Sequence, residues 1–308
     1  MSFKNKYIVA TRPSLLATTQ SEQTVNLLRE KFPSIEFILE KFSTHGDQVT
    51  DKPLTEFGGT GVFVKELEMA MDRGEADFAI HSLKDVPSFQ PENFVIASFP
   101  KREDPRDIIL TRDNVRLAEL PEECVIGTSS PRRLVQIAKL KPKAIFKDIR
   151  GNIDTRMKKL YDGEYDAIVL AAAGIKRLGK HIDEMSYLTT DQCIPAIGQG
   201  IIGLECKKDD IDTINLLRSI NDEETEICAI AERSFMAEIG GGCKFPLAVH
   251  ATINGDQLNL SAMIGNHKTY QILYKKSQST TDNALETGVK LGEEIKKEAE
   301  SLGINFMV

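Results

Sequence analysis

The sequence has no tryptophan and only 6% aromatic residues, and its 46 acidic residues outnumber its 39 lysines and arginines. Displacing counterions from phosphates requires a broad basic face, so this balance disfavours a nucleic-acid partner, and any basic cluster must be local. No apolar run approaches the eighteen or so residues that a membrane span needs, so none is expected. The opening MSFKNKYIVATRPS lacks the basic, apolar and small-residue order of a secretory signal and passes into a strand-like segment. A cytoplasmic location is therefore expected. The five cysteines are an odd number with no C-x-x-C pair, which argues against a disulfide framework and a zinc site. His45, His181, His250 and His267 are scattered without metal-ligand spacing, and His81 falls inside a predicted strand as a packed or hydrogen-bonding residue. No metal is assigned. There is neither a G-x-x-x-x-G-K-[ST] loop nor a G-x-G-x-x-G after the first strand, so dispersed carboxylates suit this chain better than phosphate.

What is present suffices for more than one core, since 41% of the 308 residues are hydrophobic. Over residues 6 to 100 strand-like and helix-like segments alternate: KYIVAT, a helix from Ser14 to about Lys31, IEFILEKF, a second helix, DFAIHSL and NFVIASF. In the second helix, within GVFVKELEMAMDRG, Phe63, Leu67, Ala70 and Met71 share one stripe and Gly74 supplies a stop. FPKREDPRD combines two prolines with a run of charges and reads as an exposed hinge. The alternation then repeats through DIIL, CVIGTSS, helix PRRLVQIAKL, AIFKDIR, helix IDTRMKKLYDG, YDAIVLA and a short helix through Ile175 to Leu178. GIIGLEC and the helical DDIDTINLLRSI are expected to return to the first lobe. The remainder differs: helix TEICAIAERSFMAEIG, FPLAVHATI, an Asn254-Gly255 turn, LNLSAMI, YQILYKK and a long helix after Asp282. The expected plan is a first α/β lobe over 1–100 and 198–219, a second over 101–197, and a small antiparallel α+β domain over 220–308.

In open parallel sheets ligands collect beyond the carboxyl ends of the strands. The residues there are Arg12 and Ser14 after the first strand and Lys84 and Asp85 after DFAIHSL. Thr128, Ser129, Ser130, Arg132 and Arg133 follow CVIG, Arg150 follows AIFKDI, and Arg177 lies beyond YDAIVLA. Cations recur at the predicted ligand edge. TSSPRR is the best local signal: Ser130 caps a helix whose first residue is Pro131, which leaves backbone N–H groups and the positive dipole end for an anion. Arg132 and Arg133 add forked, charge-assisted donors. Taken singly, each arginine better suits a solvated surface, but recurrence at successive strand ends weighs against that. Asp85 is the acid beside this set, suited either to steadying positive charge and moving a proton or to a salt bridge with Lys84 or a nearby arginine.

Cys243 stands in EIGGGCKFP, where Gly240 to Gly242 end a helix and open an exposed loop beside Lys244, which favours thiolate. The residues alone favour the plainer reading, in which these glycines are a helix stop and an interdomain turn. Cys124, Cys193, Cys206 and Cys228 sit in apolar contexts and read as core.

Read in order, ATRPSLLATTQ, FSTHGDQ, GVFVKELEMAMDRGEADFAIHSLKDVPS, DPRD, IGTSSPRRLVQ, IRGNIDTRMKKL, YDAIVLAAAGIKRLG, PAIGQGIIGLEC and AERSFMAEIGGGCKFPLAVHA resemble the hydroxymethylbilane synthases, or porphobilinogen deaminases, over nearly the whole chain. The resemblance implies two periplasmic-binding-protein-like (type II) α/β lobes with mixed, mostly parallel sheets, plus a C-terminal α+β domain with a three-stranded antiparallel sheet. It implies a dipyrromethane cofactor bound covalently to Cys243 and Asp85 as the catalytic carboxylate, which assists ammonia loss from porphobilinogen and steadies the azafulvenium-like cation. Four additions and a hydrolysis would release hydroxymethylbilane. Arg12, Ser14, Lys84, Thr128, Ser129, Ser130, Arg132, Arg133, Arg150, Arg156 and Arg177 would bind the carboxylates, with Gln20 and Gln199 as lesser candidates. The chain departs from the family at Pro13, often Gly or basic, and at Thr60, usually Lys. The implied partner is porphobilinogen alone, with no nucleic acid or membrane, and the implied state a monomer. A two-lobed carboxylate-binding sensor without catalysis would share the lobes and the arginines.

Overall fold

A computed structural model describes residues 3–44, 61, 64–183, 186–240 and 245–305. Phe63 of the expected helical stripe, Thr60, His45, Cys243 and Lys244 lie outside the described residues. By its contacts the chain forms two compact units, Met1–Glu103 with Ile201–Ala229, and Asp104–Gly200 with Ile230–Val308.

In the first unit, β1 (Lys6–Thr11), β2 (Glu36–Lys41), β3 (Phe78–Ser82), β4 (Phe94–Ser98) and β9 (Ile202–Lys207) form one sheet in the order β2-β1-β3-β9-β4. β1 is parallel to β2 and β3, whereas β9 is antiparallel to β3 and β4. The sheet is therefore mixed. Side chains alternate along a strand, so Tyr7, Val9, Phe78 and Ile80 pack with Val25 and Leu28 of α1 (Leu15–Lys31) and with Leu216 and Leu217 of α6 (Ile211–Arg218). Ile8, Ala10 and Ala79 face the other way, onto Leu67, Ala70 and Met71 of α2 (Lys65–Asp72). With both faces covered, the central strands read as nearly continuous apolar runs. A fully buried Leu28 or Leu67 contributes about 1.5–3 kcal/mol of transfer free energy.

The second unit holds β5 (Asp107–Thr111), β6 (Val125–Gly127), β7 (Ile145–Lys147) and β8 (Ala167–Ala171) in the order β5-β8-β6-β7. β5 is antiparallel to β8, and the other pairings are parallel. Ile137 of α3 (Pro131–Leu140) packs with Ile109, Ile126 and Val169 on one face. Leu160 of α4 (Ile153–Tyr161) and Ile175 of α5 (Ala172–Arg177) pack with Ile108 and Ile168 on the other.

The same unit contains the antiparallel β10 (Leu247–Asn254), β11 (Gln257–Gly265) and β12 (Ile272–Thr280). Asn254 pairs with Gln257, so the two-residue loop is Gly255–Asp256, one position later than the expected Asn254-Gly255, with Gly255 at φ +59°. α7 (Glu223–Ile239) and α8 (Ala284–Ser301) approach closely at Gly288, where a Cβ would stand 2.0 Å from Ser234 Oγ and 2.2 Å from the Ala231 carbonyl oxygen. Only glycine permits that approach.

The FPKREDPRD stretch is irregular until its last residue, and the unit boundary follows Glu103. Its final residue corrects the exposed-hinge expectation: Asp107 opens β5 and is 0% exposed. The reason lies in its partners.

Candidate active site

In the first unit the parallel pairing of β1 with β3 brings their carboxyl ends to one edge. Arg12 follows β1, and Lys84 and Asp85 occupy a short 3-10 turn, Leu83–Asp85, that follows β3. Leu83 is 1% exposed and its N–H donates to the Ile201 carbonyl at 3.0 Å, which anchors the turn and leaves its two charged residues only half-buried. Arg12 Nη1 stands 3.9 Å from Asp85 Oδ2, with the side chains 22% and 32% exposed. That separation exceeds a hydrogen bond, so the contact is Coulombic. Ser14 caps α1, its Oγ accepting from the Ala17 N–H at 3.3 Å. Gln20 is buried and its Oε1 accepts from Ser82 Oγ at 3.0 Å, tying α1 to the end of β3.

His81 behaves as the packed residue expected: its Nε2 lies 2.9 Å from Glu205 Oε2, and both side chains are buried. Gln90 Nε2 donates to the other oxygen of Glu205 at 2.6 Å. Burial, and then the charge of Glu205, pushes the nearby Glu68 carboxyl up to about 7.

In the second unit the hub is Asp107. Its Oδ2 accepts from Arg132 Nη1 at 2.6 Å and from the Cys193 thiol at 3.3 Å. Its Oδ1 accepts from Arg133 Nε at 3.0 Å, Arg133 Nη2 at 2.8 Å and Gln199 Nε2 at 3.0 Å. Burial alone would raise this carboxyl, but the charges of Arg132 and Arg133 hold it well below the usual carboxylate range. Both arginines are buried, Arg132 4% and Arg133 9% exposed. Arg132 Nη1 also donates to the Ile194 carbonyl at 2.7 Å, and Arg133 Nη1 to that of Val169 at 3.0 Å. Their guanidinium forks are thus engaged by the protein itself, and what they offer a ligand is chiefly charge.

TSSPRR folds as its capping pattern dictates. Ser130 Oγ accepts from the Arg133 N–H at 3.4 Å with Pro131 as the first helical residue, and Thr128 Oγ1 accepts from the Ser130 N–H at 3.2 Å. Ser129 Oγ both donates to the Ile149 carbonyl, at 2.9 Å, and accepts from its N–H, at 3.1 Å. This pair pins Arg150, the next residue. Arg156 lies in the first turn of α4 and its Nε donates to the Gly151 carbonyl at 2.8 Å. Burial, followed by repulsion from Arg133 and Arg150, lowers Arg156 to about 10. Three arginines therefore share one neighbourhood in which positive charge is costly. Arg177, the last residue of α5, donates through Nη2 to the Gly200 carbonyl at 2.7 Å.

Among the described residues the sequence-derived set thus falls into two groups. Arg12, Ser14, Gln20, Lys84 and Asp85 belong to the first unit, and Thr128, Ser129, Ser130, Arg132, Arg133, Arg150, Arg156, Arg177 and Gln199 to the second. The four described cysteines are buried. Burial pushes the Cys193 and Cys206 thiols up to about 12, which makes them poor nucleophiles.

Three buried carboxylates among the described residues, Asp107, Glu205 and Glu232, escaped the reading of the sequence. Asp107 had a signal, because adjacent arginines in the first turn of a helix oppose its dipole and call for a counterion. Glu232 had none: its oxygens accept from the Gly198 N–H at 2.7 Å and the Ala251 N–H at 2.9 Å, a tie between α7, the 195–200 segment and β10.

Comparison with known proteins places these features in a family. Residues 7–215 match the model described as "Porphobilinogen deaminase, dipyromethane cofactor binding domain", and 226–297 match "Porphobilinogen deaminase, C-terminal domain". The porphobilinogen deaminase of Macrococcus caseolyticus is 46% identical over 260 residues, covering 84% of this chain and 85% of that protein. That of Listeria innocua is 41% identical over 298 residues, 96% of each chain. Among solved structures, the periplasmic VFT2 domain of Bordetella pertussis BvgS superposes with a TM-score of 0.41 at 15% identity, over 70% of this chain and 86% of that one. The probable amino-acid ABC transporter binding protein ytmK of Bacillus subtilis gives 0.42 at 12%, over 75% and 96%.

Proposed function

The chain belongs to the porphobilinogen deaminase family, and we propose that it condenses four porphobilinogen units, with loss of ammonia, onto a dipyrromethane cofactor and releases hydroxymethylbilane by hydrolysis. It is a transferase of tetrapyrrole biosynthesis, and family membership sets aside the sensor without catalysis. The observation that carries the residue-level reading is the half-buried Asp85 carboxylate, 3.9 Å from Arg12 at a strand edge otherwise furnished with cations.

The donor chemistry fits a dipyrromethane, whose side chains are carboxylates. Arg156 bears a charge that burial, Arg133 and Arg150 all disfavour, and an anion placed there reverses the penalty. Arg150, Arg156 and Arg177, with Ser129, Ser130 and Thr128, would hold carboxylates in the second unit, while Arg132 and Arg133 add charge from beneath. Arg12, Ser14 and Lys84 would do so in the first. When bound, the cofactor supplies a nucleophilic pyrrole carbon. Asp85 faces the ammonium group that departs from porphobilinogen and the positive charge that develops on the pyrrole as ammonia leaves. Gln20 and Gln199 act as positioning residues through Ser82 and Asp107.

We assign covalent attachment to Cys243. Its four fellow cysteines are buried within the folded units, which supports a role for the thiol that follows α7. The reading carries with it a cytoplasmic monomer with no nucleic-acid partner. Among the described residues no helix is long and apolar enough to cross a membrane. Intact-mass measurement of protein purified from cells that make porphobilinogen tests the attachment: an adduct is expected on the wild type and absent from Cys243→Ala. An unmodified wild-type mass would overturn it.

A further inference from the structure

We propose that a pocket in the second unit, lined by none of the residues assigned above to substrate carboxylates, binds a planar aromatic carboxylate. Its volume is about 480 Å³, within the range of small-molecule sites, and it lies between α3 and the β11–β12 hairpin. The walls are apolar: Leu140 and Ile194 on one side, Ala262 and the Tyr274 ring on the other. Its charged residues are Lys139, Lys275 and Lys276 against a single acid, Asp191.

The lysines differ in how firmly they are held. Lys275 is engaged by Glu298 at 2.9 Å and Glu294 at 3.5 Å, so its charge is already answered within the protein. Lys276 pairs with Asp191 at 3.5 Å, but their side chains are 73% and 85% exposed, and an ion pair so hydrated yields readily to a competing carboxylate. Lys139 Nζ stands over the Tyr274 ring, 4.8 Å from its centroid. The pocket thus pairs an aromatic face with two recruitable ammonium groups. A flat aromatic body stacks on Tyr274 and covers Leu140 and Ile194, while its carboxylate is met by Lys139 and Lys276. An aliphatic polyanion would leave the apolar walls wet, and a neutral arene would leave the lysines unanswered.

The inner wall gives such a site a connection. Gln136 is 1% exposed, its Oε1 accepts from the Ile194 N–H at 2.8 Å, and its Nε2 donates to the Ile194 carbonyl at 3.2 Å. That same carbonyl accepts from Arg132. A ligand packed on Ile194 therefore rests one residue from the Asp107 hub.

The test is titration of the full-length holoenzyme with 1-naphthoate, followed by calorimetry. Saturable one-to-one binding is expected, weakened at least tenfold by Lys139→Glu and by Tyr274→Ser, and preserved in Tyr274→Phe and in Arg156→Leu. No saturable binding to the wild type, equal affinity in Lys139→Glu and Tyr274→Ser, or loss of binding in Arg156→Leu would each overturn the proposal, the last by placing naphthoate on the substrate arginines.

Discussion

Replacing Asp107 with Asn removes one charge from the most crowded buried network of the second unit and leaves its shape almost unchanged. The carboxylate accepts from Arg132, Arg133, Gln199 and Cys193 at 2.6 to 3.3 Å and is 0% exposed. An amide would turn N–H groups toward guanidinium N–H groups and leave two buried cations without a counterion. Removing one partner of a buried pair costs about 3–5 kcal/mol. Here two cations lose the same partner, but Arg132 keeps the Ile194 carbonyl and Arg133 that of Val169, so the cost stays in that range. It corresponds to roughly a 10²- to 10⁴-fold change in a local opening equilibrium. Native-state hydrogen exchange by mass spectrometry reads this directly for peptides spanning β5, α3 and β8, with β1 and β3 of the first unit as controls. The folded carboxyl is depressed, so its contribution is complete above the unfolded value near 4 and fades only as pH falls through the folded one. The difference between Asp107→Asn and wild type should therefore persist from neutral pH down to about pH 4. A change below about fivefold, or one shared equally by β1 and β3, would refute the hub.

Three further outcomes are expected. Asp85→Asn should retain the cofactor mass while turnover falls on the order of 10²- to 10³-fold; near-normal single-turnover rates would reduce Asp85 to a partner of Arg12. Because Glu68 is raised to about 7, its stabilising contribution is present below the unfolded value and is lost as pH rises through about 7. Glu68→Gln should accordingly flatten the fall in thermal midpoint between pH 5 and pH 8, and an unchanged pH profile would contradict the assignment. Gly288→Ala drives a methyl group into backbone and Ser234 and should cost about 1–3 kcal/mol or more, seen as a lower thermal midpoint; a neutral result would mean that α7 and α8 separate easily.

The sequence made regular elements legible wherever one physical signal dominated. Helix α3 was readable from its first residue because the Ser130 cap and Pro131 agree, and β3 and β8 because short apolar runs end at charged or helical residues. The Gly255–Asp256 loop was misplaced by one residue because Asn and Gly both tolerate turns, and only cross-strand pairing fixes the register. The candidate site was legible as a list of cations at strand ends. Its internal division was not, since whether an arginine faces a ligand or a buried carboxylate depends on a residue 25 positions away, as Arg132 does on Asp107. Asp107 itself was hidden by its neighbours: a proline-rich charged stretch reads as solvent-exposed until its last residue enters a strand.

The arrangement around α3 breaks a local rule in a way that stability alone does not explain. Cations in a first helical turn oppose the macrodipole, at about 0.3–1 kcal/mol each, yet Arg132 and Arg133 occupy that turn and are buried as well. A single Asp107 compensates two positive charges, and the repulsion that Arg133 and Arg150 exert on Arg156 shows the excess is felt nearby. A second acid at this point would stabilise the empty protein, but on the proposed function it would also occupy the place of a ligand carboxylate. A fold that keeps an excess positive charge, fixes it with a buried partner and holds the Ser129 hydroxyl on the Ile149 backbone beside Arg150 has its dipoles oriented before any anion arrives. Binding then requires little reorganisation. On this view Asp107 sets how much positive charge remains, and the sign of its effect on ligand affinity follows: weakening the hub should loosen the arginines and lower affinity, even though it removes a negative charge from the site.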